Sequence, residues 1–472
     1  MGRIYALFEY LKIMRFLKNL IFFFTIILNT NLLTAQQKEL VFVDSLIIEG
    51  NKVTKESIIR RELPFCLKDS LDYCTIHQVL ERLRSNLLNT GLFNIVFVDY
   101  HFLDSVNIEV KIKLVEKWYI WPVPYFYVED TNFNTWWKDK DWSRANYGFG
   151  LLVDNFRGRR EQLLLGLQGG FNEKFIFQYT LPFINKQKTW GVGFYYGYHR
   201  SRQLVYNTYD NLRLFLKLYD AYAKKENVIK LWWQYRKGLY FTQQGQFYFY
   251  TIEVNDTVPK LNETYLTGIK QNFFLAKYFL KYDKRNFANY PTKGVYADFE
   301  LGNYWFFGTK KNYPYVLGTI KKFYSPLKKI YFAHNFKSRY WLQYTHPYYI
   351  TQTFGYGDNI RGYEYYVIDG QQWYMQKNQV KWAWFEWKTI RLPMIKNDRF
   401  GLVPLSIYSG LFFDQGMVRD LSGRYSPLAN KYLYGYGFSL DFVSYYDIVL
   451  RFELSRNHKK ETGFYIHFVA AI

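Results

Sequence analysis

Most of the chain alternates apolar and polar or small residues with a period of two. In residues 189–200, Trp190, Val192 and Phe194 share one face while Gly191 and Gly193 take the other. This period is typical of β-strands with one apolar face. About sixteen such segments are predicted between Tyr147 and Val469, an even number as expected for a bacterial transmembrane barrel.

The direction of the predicted strands assigns the turns to the two barrel ends. The first strand is predicted to start at Tyr147 and the fifth at Asn211. The short turns at residues 171–174 and 325–328 are then expected to face the periplasm, because such barrels have short periplasmic turns and longer external loops. Residues 347–372 are expected to form a long external loop.

The pattern changes before the barrel. Residues 41–48 read as a strand closed by a Gly-Asn turn, and Thr54 is predicted to cap a helix. A second helix is predicted over residues 75–89, where Val79, Leu83 and Leu87 recur at helical spacing. Two strands follow, at residues 93–100 and 106–115. The prediction is one β-α-α-β-β unit of about 75 residues, a small domain that precedes the barrel.

Composition supports a membrane barrel rather than a helical membrane protein. The 47 Tyr, 43 Phe and 14 Trp fit the aromatic girdles of outer-membrane barrels. The one strongly apolar run, residues 20–28, follows Arg15 and Lys18 and precedes Ala35, which predicts a secretory signal peptide over residues 1–35. Met14 is an alternative start, and a soluble all-β sandwich is the alternative fold.

Several motifs, in the same order along the chain, resemble a known family. Asp154 to Gly158 resemble its first external hairpin and Pro291 to Gly294 its turn before the ninth strand. The segments that look like a polypeptide-transport-associated (POTRA) domain are Gly50 to Thr54, Arg60 to Leu63, Asn89 to Val96 and Val110 to Glu116. A POTRA domain followed by a sixteen-stranded barrel resembles the BamA/TamA superfamily of outer-membrane assembly and translocation proteins. The implied division is a signal peptide at 1–35, a POTRA domain at 40–117, a linker at 118–146 and a barrel at 147–472.

The resemblance assigns roles to an arginine motif and two carboxylates. Ile360, Arg361, Gly362 and Tyr363 would form the tip of the sixth external loop, folded back into the lumen. Glu386 and Asp414 would be its inward-facing partners on strands twelve and thirteen. Strand alternation supports the inward direction independently, because Leu411 and Phe413 share the opposite face from Asp414.

Two further devices are implied, a client-pairing edge and an opening seam. The edge is assigned to Ile95, Val96, Phe97 and Val98, which would pair with extended polypeptide through main-chain hydrogen bonds; a capped edge is the alternative. The seam joins the first and last strands, where glycines would weaken pairing. The residues assigned to the seam are Gly148, Gly150, Gly463 and Phe468. Residues 461–468 also resemble the terminal-strand signal of barrel clients, with residues 469–472 extending beyond it.

The remaining chemistry is sparse. Cys66 and Cys74 are candidates for a structural disulfide in an oxidising compartment, with two free thiols as the alternative. No serine elbow, His-Glu-x-x-His or phosphate-loop motif occurs, so no enzymatic activity, cofactor or metal is predicted. The net charge of +22 suggests contacts with anionic lipid headgroups rather than nucleic acid.

The expected function is that of an outer-membrane protein with a periplasmic POTRA domain that inserts or exports polypeptides. Its expected partners are outer-membrane lipids, unfolded or nascent polypeptide clients and accessory assembly proteins. The alternatives are a passive porin, a ligand-binding receptor and, last, a barrel phospholipase. A single POTRA domain leaves the client class open, and lipid or glycan export stays among the alternatives.

Overall fold

The computed structural model describes residues 39–128, 142–309, 311–351, 353–423, 425–444 and 448–468. The predicted signal peptide, the middle of the predicted linker and the C-terminal overhang at 469–472 lie outside these residues. No helix in the described part of the chain is long and apolar enough to cross a membrane.

The N-terminal domain is a four-stranded sheet covered by two helices. The sheet order is β2-β1-β4-β3, so that β3 lies at one edge. Its core consists of apolar residues from the helices and from the covered sheet face, including Ile59, Leu83 and Ile112. The elements are β1 (Leu40–Glu49), α1 (Glu56–Arg60), β2 (Ser70–Asp72), α2 (Ile76–Asn89), β3 (Phe93–Phe102) and β4 (Asn107–Glu116).

Within the described residues, most of the rest of the chain forms a sixteen-stranded antiparallel sheet, which confirms the predicted fold class. Its first eight strands are β5 (Ile120–Val128), β6 (Ala145–Phe156), β7 (Glu161–Gly170), β8 (Glu173–Leu181), β9 (Trp190–Ser201), β12 (Lys224–Lys237), β13 (Phe241–Val254) and β14 (Lys270–Asp283). The last eight are β15 (Gly294–Phe306), β16 (Asn312–Leu327), β17 (Ile330–Trp341), β18 (Gln372–Arg391), β19 (Leu402–Arg419), β20 (Tyr432–Val443), β21 (Val449–Asn457) and β22 (Thr462–Phe468). The strands β10 (Gln203–Tyr209) and β11 (Leu212–Lys217) form a separate hairpin.

The predicted strand number is right, but two of the assignments are wrong. The first barrel strand is β5, which lies inside the predicted linker and pairs with β6 from Ile120↔Val153 to Val128↔Ala145. Its two prolines, Pro122 and Pro124, conceal it in the sequence, since proline is tolerated mainly at a sheet edge, where β5 lies. Asn211, predicted to start a barrel strand, belongs to the tight turn of the β10–β11 hairpin instead.

The missed strand β5 and the false strand at Asn211 explain why the first turns of the barrel were predicted at the wrong barrel end. The barrel end that faces the N-terminal domain is called here the proximal end, and the other the distal end. The turn at residues 157–160 contacts the N-terminal domain, because Lys55 N donates to Gly158 O at 2.9 Å, so this hairpin is proximal rather than external. The turn at residues 171–172 is then distal, contrary to prediction. From β12 onward the errors cancel, and residues 325–328 lie at the proximal end as expected.

The two faces of the strands follow the predicted alternation. Trp190, Val192 and Phe194 are exposed on the outer face, whereas Gly191 and Gly193 are buried. On the lumen side many of the buried residues are polar or charged, as in a barrel whose outer surface contacts lipid.

Candidate functional site

The loop between β17 and β18, residues 342–371 and called here loop six, folds back into the barrel lumen. Ile360 and Tyr363 are buried there, and the main-chain N–H of Val367 donates to the Asn211 carbonyl of the β10–β11 hairpin at 2.9 Å. Thr208 of the same hairpin donates to the Asp369 carboxylate at 2.7 Å. The hairpin therefore holds loop six from the distal side.

Arg361 at the tip of loop six forms a fork with Asp414 on β19. Arg361 Nε and Nη2 donate to the two carboxylate oxygens, each at 2.7 Å, and Asp414 is 0 % exposed. The guanidinium also lies 3.7 Å from the centre of the Phe412 ring, in cation–π contact. Bidentate, charge-assisted bonds of this kind fix both position and orientation. The arrangement can anchor a loop.

The second carboxylate near Arg361 is Glu453 rather than the predicted Glu386. Glu453 on β21 lies 4.0 Å from Arg361 Nη1. Glu386 instead accepts a hydrogen bond from the Tyr331 hydroxyl. On β18, Lys377 lies opposite Asp414, whereas Glu386 lies between Phe385 and Lys388 near the other end of the ladder, so Arg361 cannot contact both carboxylates. Glu453 lies on the buried face of β21 and is 1 % exposed.

Two glycines let the tip of loop six approach the wall. Gly362 has a φ of 92°, a left-handed conformation that favours glycine. Its carbonyl accepts from Asn457 Nδ2 at 2.9 Å. On β20, a Cβ added to Gly435 would lie 1.9 Å from the Arg361 carbonyl oxygen. Gly435 was missed in the sequence because its role depends on a contact between residues far apart in the chain.

The N-terminal domain docks on the proximal end of the barrel through a second charge cluster. Arg236 at the end of β12 donates to both carboxylate oxygens of Glu62, at 2.6 and 2.8 Å. Arg160 lies 3.9 Å from the same carboxylate. Burial alone would raise the pKa of Glu62, but the hydrogen bonds from Arg236 and the charges of Arg160 and Arg61 outweigh it and lower that pKa below its ordinary value. No local sequence pattern indicates this cluster, since its members are distant in the chain.

Main-chain contacts reinforce the docking around the rim. Arg61 donates to the carbonyls of Lys188 and Gly238, at 3.1 and 2.5 Å. Asn89, at the end of α2, donates to the Arg285 carbonyl at 3.2 Å and accepts from the Ala288 N–H at 2.8 Å. These contacts surround a cavity of about 890 Å³ between the domain and the barrel mouth.

The family comparison concerns this N-terminal domain. Residues 41–117 match the family model POTRA, described as a surface antigen variable number repeat. The N-terminal domain is a POTRA domain. The resemblance to the BamA/TamA superfamily therefore holds for the domain architecture, one POTRA domain followed by a sixteen-stranded barrel.

Solved structures of similar fold include the following three, and none of the curated proteins matches the chain. BamA from Haemophilus ducreyi lacking POTRA domains 1-3 is 16 % identical with a TM-score of 0.49, over 91 % of this chain and 83 % of that one. CdiB from Acinetobacter baumannii is 14 % identical with a TM-score of 0.45, over 90 % and 74 %. CdiB from Escherichia coli is 10 % identical with a TM-score of 0.45, over 93 % and 92 %.

The predicted client-pairing residues lie on β3, at the edge of the POTRA sheet. Val96 is buried in the core of the domain and Val98 packs against that core, whereas Ile95 is buried and Phe97 is 58 % exposed. The edge is capped at one point, because Arg84 of α2 donates to the Val96 carbonyl at 3.1 Å. β3 pairs with β4 on its other side.

The predicted seam needs correction on one of its two strands. Gly148 and Gly150 lie on β6, the second barrel strand, which pairs with β5 and with β7. Gly463 and Phe468 lie on the last strand, β22, as expected. Among the described residues no ladder joins β5 to β22, so these two strands border the seam.

The cysteine pair is not a disulfide in this structure. Cys66 and Cys74 are both free and exposed. Between them in the chain lies β2, which pairs with β1 from Leu40↔Asp72 to Phe42↔Ser70 and separates the two turns. Of the two expectations, the structure therefore shows the two free thiols and not the disulfide.

Proposed function

We propose that this chain is an outer-membrane protein that inserts or exports polypeptides, with its POTRA domain in the periplasm. The observation that carries the proposal is the fork between Arg361 and Asp414, which holds loop six inside the lumen. A channel for passive diffusion gains nothing from a buried arginine anchor across its lumen. A protein that must keep its barrel wall in one arrangement until a client arrives does benefit from such an anchor.

Three further observations support the proposal over a passive porin or receptor. The POTRA domain sits across the proximal mouth and is held there by Glu62 and Arg236. Its edge strand β3 can accept an added strand, a mode of recognition that gives affinity with little demand on sequence. The seam strands β5 and β22 pair on one side only within the described residues, which leaves main-chain groups available to a client strand.

The outer surface of the barrel suits a lipid bilayer. Large apolar side chains such as Trp190, Leu231 and Trp382 are exposed on it. Aromatic side chains at both interfaces are typical of outer-membrane barrels. We accordingly propose lipids and unfolded polypeptide clients as partners, with accessory assembly proteins and the client class left to experiment.

A crosslinking experiment tests client capture. A photoreactive residue replaces Phe97 on the edge strand or, as the matched control, Phe42, which is also exposed but pairs with β2 on one side and with β4 on the other. Because Lys113 pairs with Phe97 and Asn107 with Phe42, both positions lie on the same sheet face. Capture of polypeptide at position 97 and not at 42 is the expected result. Equal capture at both positions would contradict pairing at the edge.

Depletion of the protein tests the function as a whole. The expected result is a reduced amount of particular barrel or surface proteins in the outer-membrane proteome, with their precursors accumulating in the periplasm. An unchanged outer-membrane and surface proteome would reject the assembly and export proposal. A change in lipid or glycan export alone would favour the alternative client classes.

A further inference from the structure

Three potential metal ligands meet beside the last strand. They are Glu364 of loop six, Glu453 of β21 and His467 of β22, and one ligand atom from each lies within 4.8 Å of the others. The three residues come from three separate elements. Their meeting depends on loop six being folded into the lumen.

Glu453 supplies an independent sign that a ligand belongs there. Its side chain is 1 % exposed, and within the described residues its Oε1 has no hydrogen-bond partner. The nearest cation contact, from Arg361 Nη1, is 4.0 Å long and goes to the other oxygen. A buried carboxylate oxygen without a partner is costly, and a bound cation removes that cost.

The charges around the cluster leave room for a cation. Arg361 is committed to Asp414, and Arg451 forms two hydrogen bonds with Asp441, both at 2.8 Å. These two pairs are neutral as units. Neither Glu364 nor Glu453 has an arginine of its own, and Lys377 is a cation that lies near both.

We propose that Glu364, Glu453 and His467 bind a divalent metal ion, with zinc preferred over magnesium or calcium. An imidazole together with carboxylates suits zinc, whereas the harder ions prefer oxygen ligands throughout. Zinc bonds of about 2.0–2.2 Å would hold the three ligand atoms close together. The ion would therefore hold loop six against the end of the barrel wall.

The consequence of such a site concerns the seam. β22 borders the seam and, among the described residues, is paired through β21 alone. A metal ion bound by His467 and Glu364 attaches this strand to loop six, which Arg361 already anchors to β19. The ion would thus link the last barrel strand, at the seam, to a loop that is anchored inside the lumen. This inference does not rest on the identity of any client.

Zinc binding to the purified, tag-free protein in detergent tests the proposal. After removal of metal by a chelator, calorimetric titration of the wild type with zinc chloride is expected to show one strong site. His467→Gln and Glu364→Gln are expected to weaken it by at least about 10–100-fold, the loss seen even for outer-shell partners. His334→Gln is the matched control, because His334 lies on β17 and hydrogen-bonds to Asn378 instead. No binding, or binding that these two variants leave unchanged, would overturn the proposal.

A measurement on the wild type keeps the test valid if a variant fails to fold. X-ray absorption at the zinc edge of the loaded protein is expected to show one imidazole nitrogen with oxygen donors. A signal with sulfur would indicate Cys66 and Cys74, and one with several imidazoles would indicate scattered histidines. Either of these results would overturn the assignment.

Discussion

Arg236 of the barrel wall holds Glu62 of the POTRA domain in a two-point hydrogen bond, with distances of 2.6 and 2.8 Å. The carboxylate is almost fully buried, and Arg61 and Arg160 lie close enough to influence its pKa. One carboxylate therefore offsets the repulsion among three guanidinium groups. Because these groups come from both domains, the pair links the position of the POTRA domain to the barrel mouth.

Glu62→Gln is expected to release the POTRA domain from the barrel. Neutral glutamine leaves three arginines without a counter-charge, and removing one partner of a buried ion pair costs about 3–5 kcal/mol. The measurement is ion conductance in planar bilayers, which should rise as the mouth opens. Glu56→Gln is the matched control, because Glu56 pairs with Arg60 on the exposed surface. Equal conductance in the wild type and the Glu62→Gln variant would show that the pair does not hold the mouth closed.

The same docking is expected to depend on pH. The pKa of Glu62 in the docked state lies below its ordinary value because of its arginine partners, although burial opposes this. The stabilisation is therefore complete above the ordinary carboxyl pKa of about 4.3 and is lost as the pH falls through the lowered value. Conductance of the wild type should rise in that acidic range. The Glu62→Gln variant should lack this transition, and a transition of the same size in both would assign it to other groups.

The sequence predicted the architecture because alternation and composition are local signals. The errors came where a local signal is ambiguous: prolines concealed β5, and the β10–β11 hairpin alternates like a barrel strand although it packs on loop six. For the site, parity placed Asp414 correctly, but alternation gives only the face of a residue and not its height along the strand, so it could not show that Glu386 lies far from Lys377, the residue opposite Asp414. Contacts such as Glu62 with Arg236 depend on how two domains meet, which no local pattern records.

Arg361→Ala is expected to free loop six from the wall. The variant leaves Asp414 buried and unpaired, for an expected loss of about 3–5 kcal/mol in the free energy of unfolding. Arg361→Lys should recover only part of this, because an ammonium group cannot form the two-point fork. Hydrogen exchange in loop six, together with urea unfolding, gives the measurement. Arg159→Ala, at an exposed position, is the control. Unchanged exchange in the Arg361→Ala variant would show that the hairpin alone holds the loop.

Arg84→Ala is expected to strengthen client capture at the POTRA edge. Arg84 occupies the Val96 carbonyl through a 3.1 Å hydrogen bond, so removing it exposes an acceptor on the edge strand. Crosslinking yield from position 97 should rise in this variant. Arg82→Ala, on the same helix, serves as the comparison. A fall in yield would indicate that Arg84 itself contacts the client.

Gly435→Ala is expected to displace loop six without removing any charge. The added Cβ would lie 1.9 Å from the Arg361 carbonyl oxygen, a distance that forces either the loop or β20 to move. Overpacking of this kind costs about 1–3 kcal/mol, a smaller loss than that expected for Arg361→Ala. Gly150→Ala is the matched control, since its Cβ would meet its nearest neighbour, the Val123 carbonyl oxygen, at an ordinary 3.7 Å. The loss of stability measured by urea unfolding should be largest for Arg361→Ala, smaller for Gly435→Ala and smallest for Gly150→Ala. If Gly435→Ala equals Gly150→Ala, the loop tip has room to move, and its position is set by the arginine fork alone.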